Sequence, residues 1–450
     1  MNRFIAIITV ALSLAACGSA LTPPETGGRS ATTTARSQSR DCGWIARSDA
    51  NLLNVLYPDR YATYWVAVLP IPPGGEVLLD GRYPHSRYMS FNLYNPRLEP
   101  LDALADVEIT PTLGSQQPFA VGAARNAEPR DYQVHVIAAI KPEKNSERQP
   151  NTLYSFQALS DQKQGSPLAI VIYRLYVEDQ GFDVSGGVGL PTISFKLSSG
   201  QILTGSDACT LLEQVPPLPA ADTLNNLDPP AETQPNTAAF KQLQWLKFFD
   251  LQGSQANRFN ATPLGPLLTG ALGQSTANTG GFASNVHNNY IYATASQSLG
   301  EIAVIHARLP TAPKTHEGES IMGDGQLRYW SLCTNEANSQ RYIDCVYDEQ
   351  VVRTAGDQGI ILVSRADDRP ENARSECGVT WLNWGPFSNT LLIYRHMLPR
   401  ADFAQAIQRI PGPAGAHEEE TMGPYFPQGR HMGKLDFEKL GCPVNPNALS

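Results

Sequence analysis

The sequence predicts a mainly β protein: two tandem copies of one β-sandwich with a single amphipathic helix between them. Three observations carry that reading. Gln326-Leu-Arg-Tyr-Trp-Ser-Leu-Cys-Thr334 and, after a turn, Tyr342-Ile-Asp-Cys-Val346 alternate with the period of two that strands show. Ser86–Tyr94 followed by Leu104–Val107 is a diverged copy of that hairpin in the first half of the chain. The 36 glycines and 35 prolines among 450 residues suit a turn-rich β chain better than a helical one.

The elements follow in chain order. Arg3 precedes an apolar run, Phe4 to Leu14, too short to cross a membrane as a mature helix. The run ends in Leu14-Ala-Ala-Cys17, which resembles a bacterial lipobox. That resemblance implies a signal peptide over residues 1–16 and a diacylglycerol on Cys17, and Gly18 after it points to the outer membrane. The alternative is an ordinary secretory signal cut near the same place. Acyl chains anchor because each buried methylene contributes about 0.8 kcal/mol. Residues 17–41 are Ser, Thr, Gly, Pro and Arg with little apolar content, and read as a disordered tether.

The first sandwich is expected over residues 42–212. Tyr64–Leu69, Glu76–Asp80, Arg87–Tyr94, Tyr132–Ile140 and Leu168–Val177 read as strands, with Pro72-Pro-Gly-Gly75 as a turn. On the third of these, Arg87, Met89, Phe91 and Leu93 share one face, and Tyr88, Ser90, Asn92 and Tyr94 the other. Residues 213–285 read as a Pro-rich linker, then a helix near 237–252, then a polar loop. Phe240, Leu243, Leu246 and Phe249 would give that helix one docking face. The second sandwich, residues 286–450, closes with a short helix near Asp402–Gln408 and a tail held by Cys442. Its kinship with the first rests on five matches in the same order. Gly75–Pro84 matches Gly300–Pro310, Arg87-Tyr matches Arg328-Tyr, and Asp106 matches Asp344. Lys141-Pro-Glu matches Arg369-Pro-Glu, and Ile172-Tyr-Arg174 matches Ile393-Tyr-Arg395.

Seven cysteines less the lipidated one leave six (7 − 1 = 6), an even number suited to an exported, disulfide-permissive chain. Six cysteines allow about 15 pairings. We expect Cys42–Cys209, Cys333–Cys345 and Cys377–Cys442; the second is the firmest, since both residues fall on one hairpin.

Gly378-Val-Thr-Trp-Leu-Asn-Trp-Gly-Pro-Phe387 followed by Leu391-Leu-Ile-Tyr-Arg395 resembles a bacterial domain of unknown function, the DUF twelve-fourteen type. That domain ends with an Asn-Trp-Leu-Pro turn and an apolar strand carrying Arg-x-Tyr; Thr380 and Asn383 depart from it here. Most of residues 42–450 also resembles a family of exported hypothetical proteins with an Arg-Tyr-Trp-Ser-Leu-Cys signature. The resemblance implies jelly-roll-like sandwiches and carries no assigned activity.

Function is read from chemistry. A formal charge of −9 gives no broad attraction to nucleic acid. The chain lacks a Gly-x-Ser-x-Gly elbow, a His-Glu-x-x-His pair, a Walker loop, an EF-hand loop and a Cys-x-x-Cys pair. Its histidines, among them His85, His306 and His396, are scattered, so no metal or other cofactor is expected. A buried arginine needs a carboxylate. We therefore expect Arg87 to pair with Asp106 and Arg328 with Asp344, one pair inside each sandwich. The competing reading lines a groove for an anionic ligand with strand-borne arginines, Arg174 and Arg395 among them. Tyr88, Tyr94, Tyr329, Trp381 and Trp384, with Asn92 beside them, suit a glycan or small amphipathic ligand. The function expected is that of a non-catalytic, lipid-anchored envelope protein binding such a ligand. The alternatives are a secreted hydrolase or lyase with its site in the cleft between sandwiches, and a structural scaffold with a protein partner.

Overall fold

The computed structural model describes residues 42–54, 57–96, 98–159, 162–213, 241–248, 284–337, 339–412 and 414–449. The expected signal peptide and tether, with Cys17, lie outside them, as do residues 214–240 and 249–283.

The first half contributes β1 (Ala46–Asp49), β2 (Ala62–Pro70), β3 (Glu76–Arg82), β4 (Ser86–Tyr94), β5 (Pro100–Ala105) and β6 (Asp131–Ile140). It continues with β7 (Thr152–Leu159), β8 (Gln162–Gly165), β9 (Leu168–Glu178), β10 (Thr192–Lys196), β11 (Ile202–Leu203) and a helix α1 (Gly205–Leu212). The second half has β12 (Leu246–Lys247), β13 (Asn288–Ser296), β14 (Ile302–Arg308), β15 (Leu327–Asn335) and β16 (Tyr342–Tyr347). It ends with β17 (Gln358–Ser364), β18 (Val379–Asn383), β19 (Asn389–Pro399), α2 (Glu418–Met422), β20 (Gln428–Met432) and α3 (Lys434–Glu438).

Four sheets result, and their orders show the duplication. The inner sheets run β1-β2-β9-β4-β5 and β12-β13-β19-β15-β16. The outer sheets run β11-β10-β3-β6-β7-β8 and β18-β17-β14-β20. Each strand of the second half has a counterpart in the first, and β8 and β11 are the additions. Both outer sheets carry one parallel pair, β6 with β7 and β17 with β18. The chain is thus two mixed sandwiches, and those pairs depart from an all-antiparallel jelly roll.

Each sandwich encloses its own core. Met89, Phe91, Leu93, Val171, Tyr173, Val77, Val134 and Phe195 fill the first. Leu332, Trp330, Leu392, Tyr394, Ala303, Ile361 and Trp384 fill the second. The other faces of the inner sheets meet across a third layer, so every residue of β4 is buried. This explains why β9 and β19 read as near-continuous apolar runs rather than alternating ones. The halves also exchange loops. Met322 of the second half packs into the first core, where Met322 N–H donates to Ala123 O at 2.8 Å. Asn54 of the first half accepts from Tyr342 N–H (2.8 Å) and donates to Tyr342 O (3.0 Å).

The expected helix near 237–252 is corrected where it is described. Residues 241–248 are extended. Gln242 bridges Arg430, Leu243 N–H donates to Gly429 O (2.8 Å), and β12 pairs with β13. Leu243 and Trp245 insert into the second core from its edge. Apolar residues three apart fit such an irregular edge segment as well as a helix, and here unpaired strand edges supplied the hydrogen bonds. The second half therefore has strand before residue 286, and both halves open alike, with a buried tryptophan (Trp44, Trp245) just ahead of the first strand. The helix expected at Asp402–Gln408 is a series of turns ending in a 3-10 turn at Ile407–Arg409, with Phe403, Ala406 and Ile407 capping the core.

Disulfides join Cys42 to Cys209, Cys333 to Cys345 and Cys377 to Cys442. They tie α1 to the chain entry, close the β15–β16 hairpin, and fasten the C-terminal tail. That tail lays Phe437, Val444 and Leu449 over Val304, Leu362 and Val379 on the outer face of the second sandwich. Three disulfides mark a non-cytoplasmic protein. Among the described residues no helix is long and apolar enough to cross a membrane.

Candidate functional site

The layer between the inner sheets is built by strand alternation. On β4, Tyr88, Ser90, Asn92 and Tyr94 face it; on β9, Ile170, Ile172, Arg174 and Tyr176 do. Across the gap lie Tyr290 and Tyr292 of β13, Tyr329 and Ser331 of β15, and Leu391, Ile393, Arg395 and Met397 of β19. The registers produce the same cross-strand row twice: Tyr64–Arg174–Ser90 on one sheet and Tyr290–Arg395–Ser331 on the other. The Arg174 guanidinium lies 5.2 Å from the Tyr64 ring centroid and 5.6 Å from that of Tyr94. Arg395 lies 5.7 Å from the Tyr290 ring. Such contacts hold a desolvated cation without a full carboxylate pairing.

One carboxylate serves the layer's centre. Asp59 accepts from Tyr329 Oη at 2.9 Å and from Ser331 Oγ at 2.6 Å, and its Oδ2 lies 3.9 Å from Arg395 Nε. Arg395 Nη2 donates to Tyr57 O at 2.9 Å. Burial pushes the phenols of Tyr64, Tyr88, Tyr290 and Tyr329 above their ordinary range. At neutral pH they are hydrogen-bond donors and flat faces, not phenolate nucleophiles.

The ion pairs are the main correction. Arg87 does not pair with Asp106, nor Arg328 with Asp344. Arg87 reaches into the second half, donating to Asp348 Oδ1 (2.8 Å), to Glu349 and to Thr315 Oγ1 (2.6 Å). Arg328 reaches back to Asp106 Oδ1 (2.9 Å). Each also donates to the other's backbone carbonyl, at 3.4 and 3.3 Å. The second oxygen of each aspartate holds its own half: Asp106 accepts Met89 N–H (3.0 Å) and Asp348 accepts Trp330 N–H (3.1 Å). The true repeat partner of Asp106 is Asp348. Leu104-Ala-Asp106 and Val346-Tyr-Asp348, an apolar residue, one spacer and Asp at a strand's end, was the legible signal. Asp344 instead fixes a turn, accepting Cys345 N–H (2.9 Å) and Asn383 N–H (3.1 Å), with half-exposed Arg60 at 3.4 Å.

The aromatic candidates do not form an exposed strip. Tyr88, Tyr94 and Tyr329 are fully buried in the layer, and Asn92 lies with them, donating to Ser90 Oγ at 2.8 Å. Tyr94 Oη donates to Ser284 O (2.6 Å). Trp384 belongs to the second core. Trp381 is half-buried on the far outer sheet, 4.6 Å beneath the Arg369 guanidinium. The two tryptophans are therefore not brought together with the tyrosines. Residues that sequence reasoning missed are Asp59, Tyr64, Tyr176, Tyr290 and a chain at the seam. In that chain Tyr88 Oη lies 2.9 Å from His287 Nδ1, and His287 Nε2 lies 3.4 Å from Glu108 Oε2.

Asp59, Cys333 and Cys345 bring ligand-type atoms within 4.8 Å of one another, but the sulfurs are joined as a disulfide and are not thiolate ligands. A void of about 20 Å³ in the second core, lined by Ile305, Leu309, Trp330, Leu332, Ile361 and Tyr394, is apolar and only water-sized.

No family model matches the chain, and no curated protein is similar in sequence. Among solved structures it is similar to an uncharacterized protein from Burkholderia cenocepacia, with 12% identity and a TM-score of 0.41 over 77% of this chain and 75% of that one. It is also similar to the VPA0106 protein from Vibrio parahaemolyticus, with 9% identity and a TM-score of 0.35 over 83% of this chain and 89% of that one. At these scores neither likeness bears on function.

Proposed function

We propose that the chain is an exported envelope protein, lipid-anchored through Cys17 to the outer membrane, that binds a small glycan-like or amphipathic ligand in the layer between its inner sheets. The observation that carries this is the pair of facing Tyr–Arg–Ser rows. Flat phenol faces with a donor at one end suit a ligand that is apolar on its faces and polar at its rim. The disulfides agree with export, and Leu14-Ala-Ala-Cys17 supports the anchor. A thermal-shift screen over sugars, fatty acids and short polyesters tests the binding: a ligand of the native state raises the melting temperature. No shift with any class refutes it. Cys17→Ala tests the anchor. Wild type is expected to carry a diacylglycerol on Cys17 by mass spectrometry of its N-terminal peptide and the variant none, and a wild-type N-terminal peptide without acyl mass refutes lipidation.

One observation favours the hydrolase or lyase reading, the Tyr88–His287–Glu108 chain of hydroxyl, imidazole and carboxylate. Tyr88 is fully buried, however, and its phenol is held protonated by burial. The chain therefore reads better as a seam contact between halves.

A further inference from the structure

Duplication separates what the fold needs from what one half adds. Arg174 and Arg395, Tyr64 and Tyr290, and Ser90 and Ser331 recur in both halves and build the layer that the halves share. Two residues before each tyrosine, on the same face, the halves differ. The first half has Ala62 there and the second has Asn288. Asn288 pairs with Met397 while Arg395 pairs with Tyr290, so Asn288 and Arg395 are diagonal neighbours on one sheet face. Asn288 is 4% exposed and Arg395 2%.

Neither side chain is satisfied. Among the described residues, both polar atoms of the Asn288 side chain lack a hydrogen-bond partner, and so does Arg395 Nη1. Arg395 Nη2 is held by Tyr57 O and its Nε faces Asp59, so Nη1 is the donor left over. A buried polar atom without a partner costs about 1–3 kcal/mol, and more if charged. These three atoms belong to diagonal neighbours on one sheet face, and an incoming group with oxygen atoms and a hydroxyl would satisfy them. Two are donors, a guanidinium N–H and an amide NH2, and together they fit the two oxygens of a carboxylate. The third, the amide oxygen, accepts, and fits a hydroxyl on the first or second carbon from that carboxylate. The ring of Tyr290 beside Arg395 offers a flat wall.

We propose that Arg395 and Asn288 form an anion subsite for a small hydroxycarboxylate, of which uronic-acid sugars are the form closest to a glycan. The inference rests on the ligand-binding reading above and names the ligand class for that same layer. Arg395 meets Asp59 only through Nε, at 3.9 Å, and Tyr329 and Ser331 share that carboxylate, which leaves Nη1 as the donor that can meet an anion.

The test uses isothermal titration calorimetry on the full mature chain with glucuronate, lactate and, as a neutral match, glucose. Wild type is expected to bind glucuronate at least tenfold more tightly than glucose. Asn288→Ala is expected to weaken glucuronate at least tenfold while the melting temperature holds or rises, because alanine is what the first half carries at this position. Arg395→Lys keeps the charge but loses the fork and is expected to weaken binding as well. Equal affinity for glucuronate and glucose, or glucuronate binding unmoved by Asn288→Ala, overturns the subsite and leaves the wider binding reading standing. Binding of no sugar, acid or amphipathic compound of any charge overturns both, and assigns water to these atoms.

Discussion

Arg328→Met removes one arm of the exchange between halves. The substitution deletes the 2.9 Å bond to Asp106 and leaves a carboxylate with no exposure, still accepting Met89 N–H. Breaking a buried pair from one side costs about 3–5 kcal/mol when the orphaned charge must stay. Asp106 has an escape. Burial already raises its pKa above the ordinary value against the pull of Arg328, so without Arg328 the carboxyl takes up a proton more readily. The expected loss at pH 7 is therefore at the lower end, about 3 kcal/mol. The sign with pH follows. In the variant the folded pKa of Asp106 rises further above its unfolded value of about 3.9. The variant is then least penalised below that value, and the penalty grows as pH rises through the folded pKa. Lost bonds to Arg87 O and Phe119 O add a part that does not change with pH. Urea unfolding of wild type, Arg328→Met, Asp106→Asn and the double variant at pH 4.5 and 7 measures all of this. A loss under about 1 kcal/mol at pH 7, a loss independent of pH, or no coupling in the double-mutant cycle refutes the clamp.

Two other outcomes are expected. His396 is fully buried, its Nδ1 accepting Ile407 N–H at 3.2 Å, and burial pushes its pKa down to about 3. A depressed folded pKa gives stability that is present above the unfolded value of about 6.5 and lost as pH falls below it. His396→Leu should flatten the fall in urea stability between pH 6.5 and 4, and an unchanged slope counts against the burial argument. The Cys377–Cys442 bridge closes a separation of 65 residues, for which chain entropy gives about 4 kcal/mol. Replacing both cysteines with serine should lower stability by roughly that amount and raise binding of an apolar dye, as Phe437, Val444 and Leu449 leave the outer sheet. A stable variant without dye binding would show the tail held by packing alone.

Much of the fold was legible because alternation is a local signal. The two faces of Arg87–Tyr94 were readable from residue type, and the duplicated strand order was foreshadowed by matches such as Ile172-Tyr-Arg174 with Ile393-Tyr-Arg395. Alternation tells which side chains share a face and is silent on what lies opposite. Tyr88 and Tyr94 could face solvent or a second sheet with the same sequence, and here a second sheet covers them. The helix near 237–252 failed at 241–248 for a related reason: spacing of three suits a helix face, but an edge strand's open hydrogen bonds are invisible in the sequence of the edge residue itself.

The arginines teach the sharper point. A residue repeated in two copies of a module can bond within its copy or to the equivalent position of the other, and the repeat looks the same in both cases. In an isologous contact, residue i of one copy meets j of the other, and j meets i. Arg87 to Asp348 and Arg328 to Asp106 is that pattern in one chain. The halves are related like subunits of a two-fold dimer, so neither clamp is complete without the other half. Arg87 and Arg328 thus belong to assembly. Function, where it departs from assembly, is to be sought at positions that break the symmetry. The replacement of Ala62 by Asn288 beside an arginine with a donor left over is the clearest such break that the facing layer contains.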